Sequence, residues 1–271
     1  MVLRDKFWLW GHPEGRYNLN ADNFGCPDVS RMTPMEGCLY LGVRNTFMVP
    51  VEWEVNRRQY NKSFKTLNNV GWECFDAWRK PELVDEIVVE AKEFTNISCV
   101  VIDDFKSKDK ETGLPRYKKI PLSMLQNMNE RLHNNDARRL DSWMVLYTHQ
   151  FGIDEQEDKD FQPYMDEFDG VIMWNWHERN WQTIPVKFEI FKKYTPKTRR
   201  MVGCYLYNFG EHKQATGEIV RWQLDYYREL LLNGEIEGVV LHTNTMADLD
   251  YEAYDAATAW MEEHGDEEIY V

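Results

Sequence analysis

"SCVVIDDF", residues 98–105, ends an apolar run in two adjacent carboxylates, Asp103 and Asp104. Val100, Val101 and Ile102 are contiguous and β-branched, with no polar residue between them. That pattern marks a strand buried on both faces of a parallel sheet. Such a strand has no place for charge in its interior, so the paired acids mark its end. Seven similar runs accompany "CVVIDD" (99–104): "FWLWG" (7–11), "TFMVPV" (46–51), "GWECFDAW" (71–78), "WMVLYTH" (143–149), "GVIMWNW" (170–176), "MVGCYLYNF" (201–209) and "GVVLHTN" (238–244).

Helix signals fill the gaps. In "TPMEG", Thr33 can cap, Pro34 suits the first helical position, and Glu36 can close a capping box. That helix is expected to bury Met35, Cys38 and Leu39 and to stop near Gly42. "PELVDEIVVEAKEF", "GEIVRWQLDYYRELLLNG" and "DYEAYDAATAWMEEHG" carry apolar residues at helical spacing, and "NRRQYNKSFKTLNNV" must supply a helix after the second run. Eight strands alternating with helices over 271 residues predict a single α/β domain, a (β/α)8 TIM barrel spanning residues 1–271. An open doubly wound sheet would carry a glycine-rich phosphate loop after its first strand. Here that strand runs into "GHPEGRYN" instead.

The net charge of −14 argues against nucleic acid and anionic membranes as partners. Part of the excess lies in "MEEHGDEEIYV" at the C-terminus, which reads as a solvated tail. Five cysteines without a CxxC pair argue against a disulfide framework or structural zinc. No apolar stretch approaches the ~20 residues of a membrane helix. The N-terminus turns polar too soon for a signal peptide, so a cytoplasmic location is the expectation, with a removed export signal as the alternative.

Barrels of this kind build their sites at the C-terminal ends of the strands. The side chains expected there are His12, Glu14, Glu52, Asp76, Asp103, Asp104, Tyr147, His149, Trp174, Asn175, Trp176, Glu178, Tyr205, Asn208, His242 and Asn244. Two carboxyls a few ångströms apart do not ionise together easily, so one becomes a proton donor near neutral pH, as a general acid requires. Asp104 is the expected acid/base, Asp103 its partner, and Glu178 the nucleophile or water-activating base across the barrel. The plainer role for either aspartate is to cap the following turn or to pair with Lys106 or Lys108. Eleven tryptophans, Trp78, Trp174 and Trp176 among them, suit the CH faces of sugar rings, which points to a carbohydrate substrate. In "MWNWHERNW" either Trp174 and Trp176 or Met173, Asn175 and His177 face inward. His133, His177, His212 and His264 read as surface or loop residues. No cofactor or metal is expected, because neither HxH nor HExxH is present.

With its strand-end acids and indoles, the chain resembles the (β/α)8 glycoside hydrolases over nearly its whole length. "VVIDDF" resembles the aspartate pair after the fourth strand of barrels that hydrolyse N-acetylhexosaminides with help from the substrate's acetamido group. The resemblance implies that Asp103 orients that group, Asp104 protonates the leaving oxygen, and Tyr205 or Asn208 binds the developing ring. The chain lacks the DxxDxDxE pattern of chitinase-like barrels. It also lacks a glutamate directly after the seventh strand, where "CYLYNFGEH" stands with Glu211 several residues on. The alternatives are a metal-dependent sugar isomerase, epimerase or lyase using His149, His242 and the aspartates, and a non-catalytic carbohydrate-binding barrel.

Overall fold

The structure is a computed structural model that describes residues 1–18, 24, 26, 28–51, 53–109 and 112–270. Eight parallel strands close a barrel: β1 (Phe7–Gly11), β2 (Asn45–Met48), β3 (Asn69–Glu73), β4 (Ile97–Ile102), β5 (Asp141–Tyr147), β6 (Gly170–Trp174), β7 (Arg199–Tyr205) and β8 (Gly238–His242). Each strand pairs with its neighbours in sequence, and β1 pairs with β8 to complete the ring. Outside it lie α1 (Pro34–Tyr40), α2 (Arg57–Ser63), α3 (Val84–Glu93), α4 (Leu122–His133), α5 (Glu155–Met165), α6 (Ile184–Tyr194), α7 (Gly217–Leu232) and α8 (Glu252–His264). A two-residue hairpin, Tyr207–Asn208 with Lys213–Gln214, follows β7.

Alternation along the strands sorts the core into two layers. Val100, Ile102, Met144, Met173 and Leu241 face outward into the strand–helix layer. Trp8, Trp10, Phe47, Cys99, Val101, Trp143, Ile172 and Trp174 fill the barrel interior. The inward rings fit because a glycine stands beside them on the next strand. Phe47 is in register with Gly71, Trp143 with Gly170, and Trp174 with Gly203. A Cβ on Gly203 would lie 2.1 Å from ring carbons of Trp174, and one on Gly170 2.2 Å from a ring carbon of Trp143.

The capping box of α1 forms as read: Thr33 Oγ1 accepts the Glu36 amide, and the Glu36 carboxylate accepts from the Thr33 amide. Gly42 turns the chain with φ +67°. Leu39, expected in the core, is 70% exposed, because the short helix turns that face to solvent. Most of the apolar runs extend past their strands by two to five residues. Residues such as Phe75 and Trp176 are apolar because they wall a cavity, not because they join the ladder.

The acidic terminal segment is docked rather than freely solvated. The Leu3 and Arg4 amides donate to the Glu267 and Gly265 carbonyls, Ile269 is buried, and Arg228 pairs with Glu267. Among the described residues no helix is long and apolar enough to cross a membrane.

The glycine pairing predicts that Gly203→Ala destabilises the barrel by about 1–3 kcal/mol, because the added Cβ overlaps the buried Trp174 ring and forces it out of its packed position. A urea midpoint matching the wild type at unchanged m-value would contradict this.

Candidate active site

The C-terminal ends of the strands surround a cavity of about 770 Å³. The inward register that packs the interior also selects its lining. Two residues beyond Val101 on the same face comes Asp103; two beyond Gly71 comes Glu73. Two beyond Val145 comes Tyr147, two beyond Gly203 comes Tyr205, and two beyond Val240 comes His242. All five line the cavity, together with Trp174 and Trp176, so the tryptophan set of "MWNWHERNW" is the inward one.

Asp104 breaks the alternation by adopting φ +55°, a left-handed turn that brings it to the same cavity as Asp103. Its amide donates to Asp103 Oδ1 at 2.8 Å, and its own Oδ1 accepts from Ser107 Oγ at 2.8 Å. Arg116 Nη1 donates to the Asp104 carbonyl at 3.3 Å and stands 3.9 Å from Oδ2. The next residues fix this turn. Phe105 is fully buried, and Lys106 is buried against Asp158 Oδ1 at 2.9 Å. Neither Lys106 nor Lys108 pairs with the aspartates: Lys106 is held by Asp158, and Lys108 bridges to Pro115 through its backbone.

Glu73 completes a cluster of three carboxyls. It ends β3, is 7% exposed, and its Oε2 accepts the Val51 amide at 2.8 Å. Burial pushes its carboxyl up to about 7, helped by the Asp104 charge and opposed by the Val51 amide and Arg16. Burial likewise raises Asp103 well above the carboxylate range, and the charges of Asp104 and Glu73 add to it. The cluster therefore retains a proton near neutral pH.

The opposite wall is aromatic and imidazole. Tyr147 and Tyr205 are held far above the ordinary phenol range, chiefly by burial and then by the Asp103 charge. Tyr147 stacks with His149, whose imidazole is pushed down chiefly by burial. Trp174 meets Trp10 edge-on at 5.6 Å and makes part of the floor. His12 and His242 stand with their Nε2 atoms 3.5 Å apart. Burial pushes His12 down to about 3 and His242 well below its usual value, so both are neutral at physiological pH.

Several expected residues are placed elsewhere. Glu178 is outside this cavity: its carboxylate accepts from Asn208 Nδ2 at 2.8 Å and from the Thr216 amide at 2.9 Å, which ties the β6 and β7 loops together. Asn208, bonded to Glu178, does not line this cavity. Asn175 points to the other side of the strand, accepting from Thr148 and donating to the His177 carbonyl. Asn244 is buried and bonded to the His12 backbone and the Met32 carbonyl. Asp76 pairs with the nearby Arg79, and Glu14 is exposed and accepts from Tyr60. Trp78 is core, edge-on to Phe105. Glu52 lies outside the described residues. His177, read as a loop residue, lines the cavity, with Nδ1 2.8 Å from Glu211.

Glu73 had a signal in the sequence, since it is the lone charge in "NVGWECF", but the strand was read as running on to residue 78. Arg116, Tyr17 and Phe24 also line the cavity. They arrive on loops, and no periodicity marks them.

The ligand set of the metal-dependent alternative does not gather. Among the described residues no group of three or more His, Cys, Asp or Glu side chains lies close enough to hold a metal ion.

No family model and no curated protein matches the chain. Solved structures of the same architecture do. Active domain 2 of a thermostable chitinase from Pyrococcus furiosus aligns at 10% identity over 98% of this chain and 97% of that one, with TM-score 0.60. The PgaB (BpsB) glycoside hydrolase domain of Bordetella bronchiseptica aligns at 10% identity over 93% and 98%, with TM-score 0.54. A psychrophilic family 10 endo-β-1,4-xylanase aligns at 10% over 94% and 96%, with TM-score 0.54. These neighbours are glycoside hydrolases on TIM barrels, and at such identities the likeness carries the fold alone.

The raised Glu73 carboxyl has a consequence for stability. The folded state binds its proton more tightly than the unfolded chain does. Its stabilising contribution is therefore complete below pH ~4.5 and is lost as pH rises through about 7. Glu73→Gln removes that loss. Relative to the wild type, the variant should gain about 3 kcal/mol between pH 4.5 and pH 8.5, read from urea unfolding at both pH values. A wild type that gains on the variant over that range would contradict the assignment.

Proposed function

We propose that the protein is a glycoside hydrolase that cleaves an O-glycosidic bond at the C-terminal mouth of the barrel. The observation that carries this reading is the Asp103–Asp104 pair, turned into a large aromatic-walled cavity and kept partly protonated by burial beside Glu73. A sugar ring seated there has indole and phenol faces for its CH groups and carboxyl and imidazole groups for its hydroxyls.

The roles follow from depth. Asp103 lies on the inward register and holds the proton; its Oδ1 accepts the Asp104 amide, so Oδ2 carries the hydrogen. Asp104 is nearer the surface, with 41% of its side chain exposed, where a leaving oxygen pointing out of the cavity would meet it. Asp103 passes its proton to Asp104, which delivers it to that oxygen as the C–O bond breaks, leaving both carboxyls ionised.

All three carboxyls lining the cavity stand on the β3–β4 side. Among the described lining residues, the wall from β5 to β8 offers phenols, indoles and imidazoles instead. An opposed carboxyl pair, as in ordinary retaining or inverting enzymes, is thus not what this arrangement supplies. It favours attack on the anomeric carbon by the substrate's own 2-acetamido oxygen. Asp103, ionised once its proton has moved on, accepts the acetamido N–H and balances the positive charge that develops there. Water then opens the cyclic intermediate and gives up a proton to Asp104, from which it returns to Asp103.

Asp103→Asn and Asp104→Asn should each lower kcat/KM at least ~10²-fold on 4-nitrophenyl N-acetylhexosaminides or chito-oligosaccharides, with circular dichroism unchanged. Glu178→Gln should keep turnover within a few-fold of the wild type. Turnover near wild type in both aspartate variants would exclude the proposal. Activity confined to sugars without an acetamido group would exclude the substrate-assisted route while leaving the acid/base pair in place.

A further inference from the structure

The floor of the cavity on the β8–β1 side holds a group the hydrolytic reading does not use. His12 Nδ1 lies 2.6 Å from the Val49 carbonyl, so it carries the proton and donates there, leaving a lone pair on Nε2. The Tyr17 hydroxyl stands 3.2 Å from that Nε2, and His242 Nε2 stands 3.5 Å from it. His242 is 6% exposed, and its Nδ1 has no hydrogen-bond partner, so no contact on that side fixes its tautomer. In the Nδ1-protonated tautomer of His242 a second lone pair faces the first. The Tyr17 O–H can donate to the His12 lone pair; an electrophile between the rings would take up both.

The distances decide which electrophile fits. A direct N–H···N bond at the observed 3.5 Å is long and weak. A hydroxyl oxygen shared at ~2.8 Å from both nitrogens would be pinched to an N···O···N angle of about 75–80°. A metal ion at ~2.05 Å from both gives an N–M–N angle of about 115–120°, close to tetrahedral. Its two imidazole rings would then have centroids about 5.4 Å apart; they are 5.3 Å apart. The Tyr17 oxygen at 3.2 Å from His12 Nε2 matches the ~3.3 Å edge of the same tetrahedron.

We propose that His12, His242 and the Tyr17 phenol form a mononuclear site for a divalent transition ion of borderline softness, zinc above all. The Val49 carbonyl orients the His12 ring, as an acceptor on the far ring nitrogen does for a metal-bound imidazole. Both imidazoles are already neutral, so only the phenol must release a proton to solvent when the ion binds. Trp174 and Phe209, with rings 5.9 and 4.8 Å from that of His242, shield the site from bulk water. All three ligands line the cavity, so the ion has an entry path and its fourth position faces a water or a sugar hydroxyl there. The proposal does not depend on the glycosidase reading.

The test titrates chelator-stripped protein with Zn²⁺ by calorimetry and with Co²⁺ by visible absorption. One equivalent of Zn²⁺ should bind the wild type with Kd below ~10 µM, and Co²⁺ should give the intense bands of a tetrahedral centre. His12→Gln and His242→Gln, checked for folding by circular dichroism, should each weaken binding at least ~100-fold, and Tyr17→Phe should weaken it less. The double variant Asp103→Asn/Asp104→Asn should bind as the wild type does. Absence of a one-to-one site in the wild-type protein overturns the proposal whatever the variants do. So does binding that follows the aspartates rather than the histidines, which would place the ion in the acid cluster.

Discussion

Aromatic rings laid over glycines hold this barrel together. An eight-stranded barrel has just enough interior for layers of side chains, normally branched aliphatics. Here the layers contain Trp8, Trp10, Phe47, Trp143 and Trp174, which are too large for a ring of ordinary neighbours. Gly71, Gly170 and Gly203 supply the missing volume, each in register with one of these rings. Because the contact leaves less room than a single Cβ needs, it also fixes which face of each strand points inward.

That register sets the electrostatics above it. Once the rings fill the lower interior, the next inward positions sit on a dry, apolar floor, and Glu73 and Asp103 occupy two of them. Burial favours the protonated forms of both carboxyls. On the far side the same burial keeps His12 and His242 neutral. One aromatic floor thus yields a protonated acid cluster on the β3–β4 wall and a pair of neutral imidazoles on the β8–β1 wall. Both come from desolvation rather than from ion pairing.

The loops finish what the strands begin. The turn at Asp104 departs from strand geometry and is held by Ser107 and by the anchoring of Phe105 and Lys106 just beyond it. Glu178 shows the opposite outcome. It lies four residues past the end of β6, whereas Asp103 directly follows β4, and the chain turns it away to bond Asn208 and Thr216. Beyond the strand end a side chain's direction follows the turns of the loop rather than the strand alternation.

By itself the sequence determined the (β/α)8 order, the capping box of α1, the aspartate pair at the end of β4, and His12, Tyr147, Trp174, Trp176, Tyr205 and His242 as residues of the mouth. These are local matters of hydrophobic period and strand-end polarity, which are written in consecutive residues. Only the tertiary structure decided that Glu73 joins the aspartates, that Glu178, Asp76 and Asn208 do not, and that Arg116 and Tyr17 reach the cavity from loops. Those outcomes depend on where each strand stops and how the following chain turns. Contacts between residues far apart in sequence set both, and no local pattern encodes them.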